Sequence, residues 1–169
     1  MSDFADRGLT VTRLESLDPE TIGLLEGYGR EALGESALDN WLLPVVARFG
    51  MLFIAEAGGE TVGAAEVLRC KGPEDVYLEG FYIRPVFQGR GFGAALLDQV
   101  LDACTAEGVM RMQATVSPGN ESGRRLYRRA GFREVAALPD FYGKGRDRML
   151  LELDLTSRLA AGYGTDPRD

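Results

Sequence analysis

The chain has no histidine in 169 residues, which removes the commonest metal ligand and the usual acid or base at neutral pH. Any proton transfer must fall to another group. Cys70 and Cys104 are too few and too far apart for a disulfide framework or a zinc pattern. Cys104 falls on the apolar stripe of a helix, and both cysteines are expected to be buried thiols. No run approaches the roughly 18 apolar residues of a membrane span. Met1 to Leu9 carries Asp3 and Asp6 where a secretory leader needs an apolar stretch. The expectation is a soluble, cytoplasmic protein with neither a membrane partner nor a metal. No repeat, charge block or low-complexity linker divides the chain. Residues 1–155 therefore read as one domain, and residues 156–169, with Gly162, Gly164 and Pro167, as a loose tail.

What is present is ordinary globular material, 45% hydrophobic and 9% aromatic, long enough for a substantial core. A net charge of −7 argues against a nucleic-acid partner. The charge is unevenly spread: residues 1–80 hold 15 Asp/Glu against 6 Lys/Arg, residues 81–169 hold 11 against 13. The first half could attract a cationic amine and the second tolerate an anionic cofactor, although acidity for solubility accounts for the same numbers.

Two periodicities alternate along the chain. Leu9 to Leu14 alternates as a strand. Asp18 caps a helix with Pro19 in its first turn and Leu24, Leu25 and Tyr28 on its apolar face. Leu38, Trp41, Leu42, Val45 and Phe49 recur at helical spacing after a cap at Ser36 to Asp39, with Pro44 expected to kink or break the run. Met51 to Ala57 and Thr61 to Arg69 flank Gly58-Gly59 as a hairpin. Val76 to Arg84 is a further strand. Gly93, Leu96, Leu97, Val100, Leu101 and Cys104 form one helical face that Gly108 ends. Met110 to Val116 is a strand, Asn120 to Arg129 a helix stopped by Gly131, and Phe132 to Ala137 and Met149 to Leu155 are closing strands. This order implies an α/β fold with a mixed central sheet covered by helices on both faces.

Chemistry is most legible between Phe81 and Ala94, where a strand runs through a Pro into Gln88-Gly89-Arg90-Gly91-Phe92-Gly93 and straight onto the amphipathic helix. Three glycines in five positions let main chain approach a ligand, and several N–H groups at a helix start converge with the positive end of its dipole behind them. An anion such as a diphosphate is the natural guest. A P-loop would need Lys and then Ser or Thr after the last Gly, where Ala94 and Ala95 stand. Gly89, Gly91 and Ala94 fit a loose dinucleotide fingerprint, but the next strand ends in Ser117-Pro118-Gly119 without the carboxylate that would hold a ribose.

Gln88, Gly91 and Gly93 satisfy the pattern Gln/Arg-x-x-Gly-x-Gly/Ala. A second block follows as Asn120 and Leu126-Tyr127-Arg128-Arg129-Ala130-Gly131-Phe132. Together, in this order and spacing, the two blocks resemble the GNAT superfamily of acyl-CoA-dependent N-acyltransferases, over about residues 8–155. The resemblance implies a mixed, mostly antiparallel central sheet. It also implies acetyl-CoA as co-substrate, its diphosphate on the amides of Gln88, Gly89, Arg90, Gly91, Phe92 and Gly93. The pantetheine arm would lie along the strand Val76 to Arg84, which splays from Met110 to Val116, with Phe81 and Ile83 as backbone contacts. Gly80 suits either a bulge there or close packing against a side chain.

Transfer of acetyl from a thioester needs a neutral amine, a polarised carbonyl and a proton for the thiolate. The resemblance assigns Glu79 as the base, directly or through water, on one strand face with Tyr77, Phe81 and Ile83; a strand carboxylate without chemical duty is the competing reading. It assigns Tyr127 as the acid, against plain aromatic packing. A main-chain N–H near Ile83 would polarise the carbonyl. Asn120 caps its helix whether or not it touches coenzyme A. Arg124, Arg125, Arg128, Arg129 and Arg133 form a basic cluster, some members of which could reach the outer phosphate of coenzyme A. Tyr142, in the segment Pro139 to Arg146, and Trp41 would wall an acceptor site for a small-molecule or peptide amine, with a buried packing role as Trp41's other reading. Phe141-Tyr142 followed by Asp147 and Met149 is loosely similar to the subgroup that acetylates protein N-termini. Many relatives pair as dimers, so a homodimer is one open assembly state. A non-catalytic acyl-CoA-binding or sensor module is the alternative function.

Overall fold

The structure, a computed structural model, describes residues 8–162. The expectation for Met1 to Leu9 therefore falls mostly outside the described residues, as does the end of the tail. Seven strands form a mixed, mostly antiparallel sheet in the order β1-β2-β3-β4-β5-β7-β6. They are β1 (Thr10–Leu14), β2 (Met51–Ala57), β3 (Glu60–Arg69), β4 (Asp75–Ile83), β5 (Arg111–Val116), β6 (Arg133–Leu138) and β7 (Arg148–Asp154). The helices are α1 (Pro19–Leu33), α2 (Leu42–Phe49), α3 (Phe92–Ala106), α4 (Glu121–Arg129) and α5 (Thr156–Gly162). β4 and β5 run parallel with α3 as their crossover, while β1–β2, β2–β3, β5–β7 and β6–β7 are antiparallel. Among the described residues, no helix is long and apolar enough to cross a membrane.

The described chain forms two compact units, one of residues 8–68 with Glu79–Val100 and the other of Arg69–Leu78 with residues 101–162. Each change of unit falls inside an element, in β3, β4 and α3.

In the first unit, Asp18 caps α1 as expected, its Oδ1 accepting from the Thr21 N–H at 2.8 Å. Leu25 and Gly29 face the core, whereas Leu24 is exposed. The second helix departs from its expected phase. A 3-10 turn at Gly34–Ser36 closes early, and Asp39 Oδ1 accepts from the N–H groups of Trp41 and Leu42, so α2 starts afresh at Leu42. Leu43, Val46 and Ala47 consequently turn inward onto Leu25, Leu52, Ala64 and Tyr82. Of the expected core stripe Leu38 is buried, but the rest is on the outside: Trp41 is 81% exposed and Phe49 73%, with Leu42 and Val45 half exposed. Pro44 stands in the first turn of α2, where a helix has no intrahelical acceptor for the N–H that proline lacks, so it neither kinks nor breaks the run.

In the second unit, β4 pairs with β5 from Asp75↔Arg111 to Leu78↔Ala114. Arg111 anchors the start of this register with two hydrogen bonds to Asp75 at 3.0 and 2.7 Å. On α3 the expected residues are buried, Leu101 and Cys104 in this unit and Leu96, Leu97 and Val100 in the first. Cys70 is exposed, contrary to expectation, because it follows the last residue of β3. Thr156–Gly162, read as the start of a loose tail, forms α5. Asp154 Oδ1 accepts from both the N–H and the hydroxyl of Thr156, and Arg158 donates to Asp102 at 2.5 Å.

Candidate functional site

The turn Gln88 to Gly91 leads from a 3-10 turn at Pro85–Phe87 to Phe92, the first residue of α3. Gly89 and Gly91 have φ of 75° and 83°, the left-handed region that L side chains rarely adopt. A Cβ at either would meet nothing within 4 Å. Crowding within the chain therefore does not explain these glycines; they leave main chain bare on an open surface at a helix start. Two side chains brace the turn. Gln88 Nε2 donates to the Ile83 carbonyl at 2.9 Å, and Arg90 donates to the Val86 carbonyl at 3.1 Å with its guanidinium 5.6 Å from the Phe87 ring centre. Phe92 is buried and anchors the helix end, and Gly93 is half buried. The arrangement presents dipole and N–H groups to an anion, and the residues fit a diphosphate.

Along β4, half-buried Tyr77, Glu79 and Phe81 alternate with buried Val76, Leu78, Gly80 and Tyr82. Ile83 is buried at the strand's end. Partial loss of water pushes the Glu79 carboxyl above the usual range, toward that of a better base. Gly80 takes the close-packing role: a Cβ there would collide with the carboxyl of Glu66, whose Cδ lies 2.8 Å from that point. Glu66 is only 3% exposed, and its Oε2 has no hydrogen-bond partner among the described residues. Burial, first, and the negative charge of Glu79, second, push its pKa up to about 7.

Asn120, Tyr127 and Tyr142 belong to the second unit, and Glu79, the glycine turn and Trp41 to the first. Asn120 caps α4, its Oδ1 accepting from the Gly123 N–H at 2.9 Å and from the Ser122 hydroxyl at 3.1 Å. Loss of this cap in Asn120→Ala is expected to cost about 1 kcal/mol of stability, with Asn120→Asp close to the parent; thermal denaturation of the three proteins checks it. Tyr127 is buried, edge-on to Phe132 with ring centres 5.2 Å apart, and burial raises its phenol pKa so that it keeps its proton at neutral pH. Tyr142 is exposed. Its hydroxyl lies 3.4 Å from that of Tyr77, which is 2.8 Å from the Thr115 hydroxyl, and Arg148 covers its ring at 4.8 Å. Of the arginine cluster, Arg124 is committed to Glu134 by two hydrogen bonds at 2.8 and 3.0 Å, with Arg128 3.8 Å from the same carboxylate. Trp41 does not take the buried role that competed with an acceptor wall.

Glu66 and Thr115 escaped the sequence reading. Thr115 carries no local signal. Glu66 does: it is an acid in Val62–Val67, a stretch buried on both faces, opposite a glycine in the next strand. Among the described residues, no cluster of three or more His, Cys, Asp or Glu could hold a metal ion.

The model of the Acetyltransferase (GNAT) family matches residues 13–132. The chain is 31% identical over 90 residues to the L-2,4-diaminobutyric acid acetyltransferase of Nocardia farcinica, a match covering 53% of this chain and 47% of the relative. The chain thus spans about half the length of that curated relative. Two crystal structures share the fold. The ribosomal-protein-S18-alanine N-acetyltransferase of Escherichia coli aligns with TM-score 0.74 and 18% identity, over 87% of this chain and 94% of its own. A GNAT family acetyltransferase of Elizabethkingia anophelis with acetyl-CoA bound aligns with TM-score 0.70 and 17% identity, over 87% and 98%.

Proposed function

The chain belongs to the GNAT family of acetyltransferases, and from that premise we propose that it moves an acetyl group from acetyl-CoA directly to a primary amine, with no covalent enzyme intermediate. The observation that carries this reading is the bare turn at Gly89 and Gly91 on the start of α3, left-handed and open where a Cβ would otherwise stand. Main-chain N–H groups from Gly89 to Gly93 would hold the diphosphate, that of Gln88 being donated to the Pro85 carbonyl at 3.2 Å, and the backbone of Phe81 and Ile83 the pantetheine arm.

Glu79 would take the proton of the attacking ammonium, directly or through one water, as its raised pKa favours. The amine nitrogen then bonds to the carbonyl carbon, the carbon–sulfur bond breaks, and the nitrogen releases its second proton, through water, to replace the one that Tyr127 gives up. Tyr127, which stays protonated, donates to the sulfur and gives the thiolate its proton. A main-chain N–H near Ile83 would stabilise the oxyanion. Tyr142 and Trp41, both exposed aromatics, are assigned to the acceptor, a small-molecule or peptide amine.

Free thiol released from acetyl-CoA over a panel of amines, peptides and antibiotics tests the activity. No release with any of them, from protein that binds coenzyme A, favours the binding-module reading. Tyr127→Phe is expected to lower kcat about tenfold or more with unchanged coenzyme A affinity. Wild-type kcat across pH would remove the tyrosine from the mechanism.

A further inference from the structure

Within the second unit, three hydroxyls and one cation come together, and the proposed mechanism gives them no chemistry. They belong to Tyr77, Thr115, Tyr142 and Arg148. Thr115 stands opposite Leu150 in the β5–β7 register, and strand alternation puts Arg148, two positions before Leu150, on the same face. The Thr115 hydroxyl lies 2.8 Å from that of Tyr77, the Tyr77 hydroxyl 3.4 Å from that of Tyr142, and the Arg148 guanidinium 4.8 Å from the centre of the Tyr142 ring. Apolar groups adjoin them: Leu150, Leu138 opposite Arg148 in β6, and Phe141, edge-on to Tyr142 with ring centres 4.8 Å apart. The charges of this face are matched except at Arg148. Asp75 pairs with Arg111 at 2.7 Å, and Glu152 accepts from Gln113 Nε2 at 3.0 Å. Asp140 and Asp147, the acids of the adjoining segment, turn onto its own main chain, accepting from the N–H groups of Gly145 at 2.6 Å and of Asp140 at 2.8 Å. Half-buried Arg148 donates once, to the Asp147 carbonyl at 2.8 Å, and has no carboxylate partner among the described residues.

We propose that Arg148, with the Tyr142 hydroxyl beside it, binds a carboxylate carried by the acceptor, so that the acceptor is a small amino carboxylate, an amino acid in its simplest form, rather than a plain amine. A guanidinium has five N–H donors in a planar fork that matches a carboxylate, and most of those of Arg148 are left for a ligand. The fork is held in advance. The Tyr142 ring supports it, and the self-bonded segment from Asp140 to Asp147 supports Tyr142, so little ordering remains when a ligand binds. Tyr77, itself bonded to Thr115, gives the Tyr142 hydroxyl a neighbour that turns it inward along the same face. Leu150, Leu138 and Phe141 leave room for an apolar side chain rather than a second charge. Calling the ligand the acceptor rests on the acetyl-transfer reading; the carboxylate site does not.

The probes are the N-acetyl derivatives of the common amino acids, each against its own carboxamide, titrated into the full chain by ligand-observed NMR. They have no amine to react, so binding is read without turnover. At least one acid is expected to bind the wild type about tenfold or more tightly than its carboxamide. Arg148→Met keeps a long side chain over the Tyr142 ring without the charge, and should bring the two to near parity. Arg148→Lys keeps the charge without the fork, and should retain a weaker preference; it decides the matter together with the wild type if Arg148→Met does not fold. A wild type that prefers no acid over its carboxamide, or an Arg148→Met with an undiminished preference, overturns the proposal. If acids bind through Arg148 while no amino acid or other amine releases thiol from acetyl-CoA, the site stands and acetyl transfer falls. If amines release thiol while acids and carboxamides bind alike, transfer stands and the carboxylate site falls.

Discussion

Gly91→Val is expected to raise the dissociation constant of coenzyme A by about a hundredfold or more, a loss of roughly 3 kcal/mol of binding. Two effects add. At φ of 83° a β-branched residue is strained, so the turn must relax toward a negative φ and swing its N–H groups off their common point. Any Cβ that stays in place projects into the open space that the diphosphate would occupy. The same openness protects the fold, since the new side chain collides with nothing in the chain, and circular dichroism of the variant should match the parent. Titration calorimetry with coenzyme A reads the result. Wild-type affinity in a folded Gly91→Val would remove the cradle and, with it, the reason for placing acetyl-CoA on this turn. Gly91→Ala should fall between the two, because its methyl group intrudes less and tolerates a left-handed backbone better.

What could be read from the residues divides along a physical line. Short-range signals were legible: the Asp18 cap, the buried stripe from Leu96 to Cys104, the hairpin around Gly58-Gly59, and the glycine turn all depend on neighbours a few residues away. The phase of α2 was not. Its apolar residues cover more than one face, and the choice between Trp41 with Phe49 and Leu43 with Val46 is made where Asp39 restarts the helix and by contact with strands far along the chain. Glu66 is a subtler case. Nothing within β3 says where its carboxyl goes; the room exists because a glycine 14 positions later in sequence stands opposite it. The exposure of Cys70 likewise turned on where β3 stops, a boundary that side-chain type alone does not mark.

The stability of the wild type should fall as pH rises from about 4.5 to about 7, and Glu66→Gln should abolish most of that fall. The sign follows from the direction of the shift. Glu66 holds its proton up to about 7 in the folded chain, against an ordinary value of 4.5, so between these values the unfolded chain binds fewer protons and gains on the native state. Below the lower value both states are protonated and the group contributes nothing; above the upper one the penalty is complete. At 1.36 kcal/mol for each pKa unit it amounts to about 3 kcal/mol. Gln has the same shape without the ionisation, so its urea midpoint should decline less steeply than that of the wild type, the remaining fall coming from groups such as Glu79 whose pKa is also raised, and the two curves should separate most at pH 8. Parallel curves would mean that Glu66 finds a cation or water that satisfies its charge, leaving no stability cost to explain. A widening gap would show a protein that keeps an acid where an amide of equal size gives a sturdier fold.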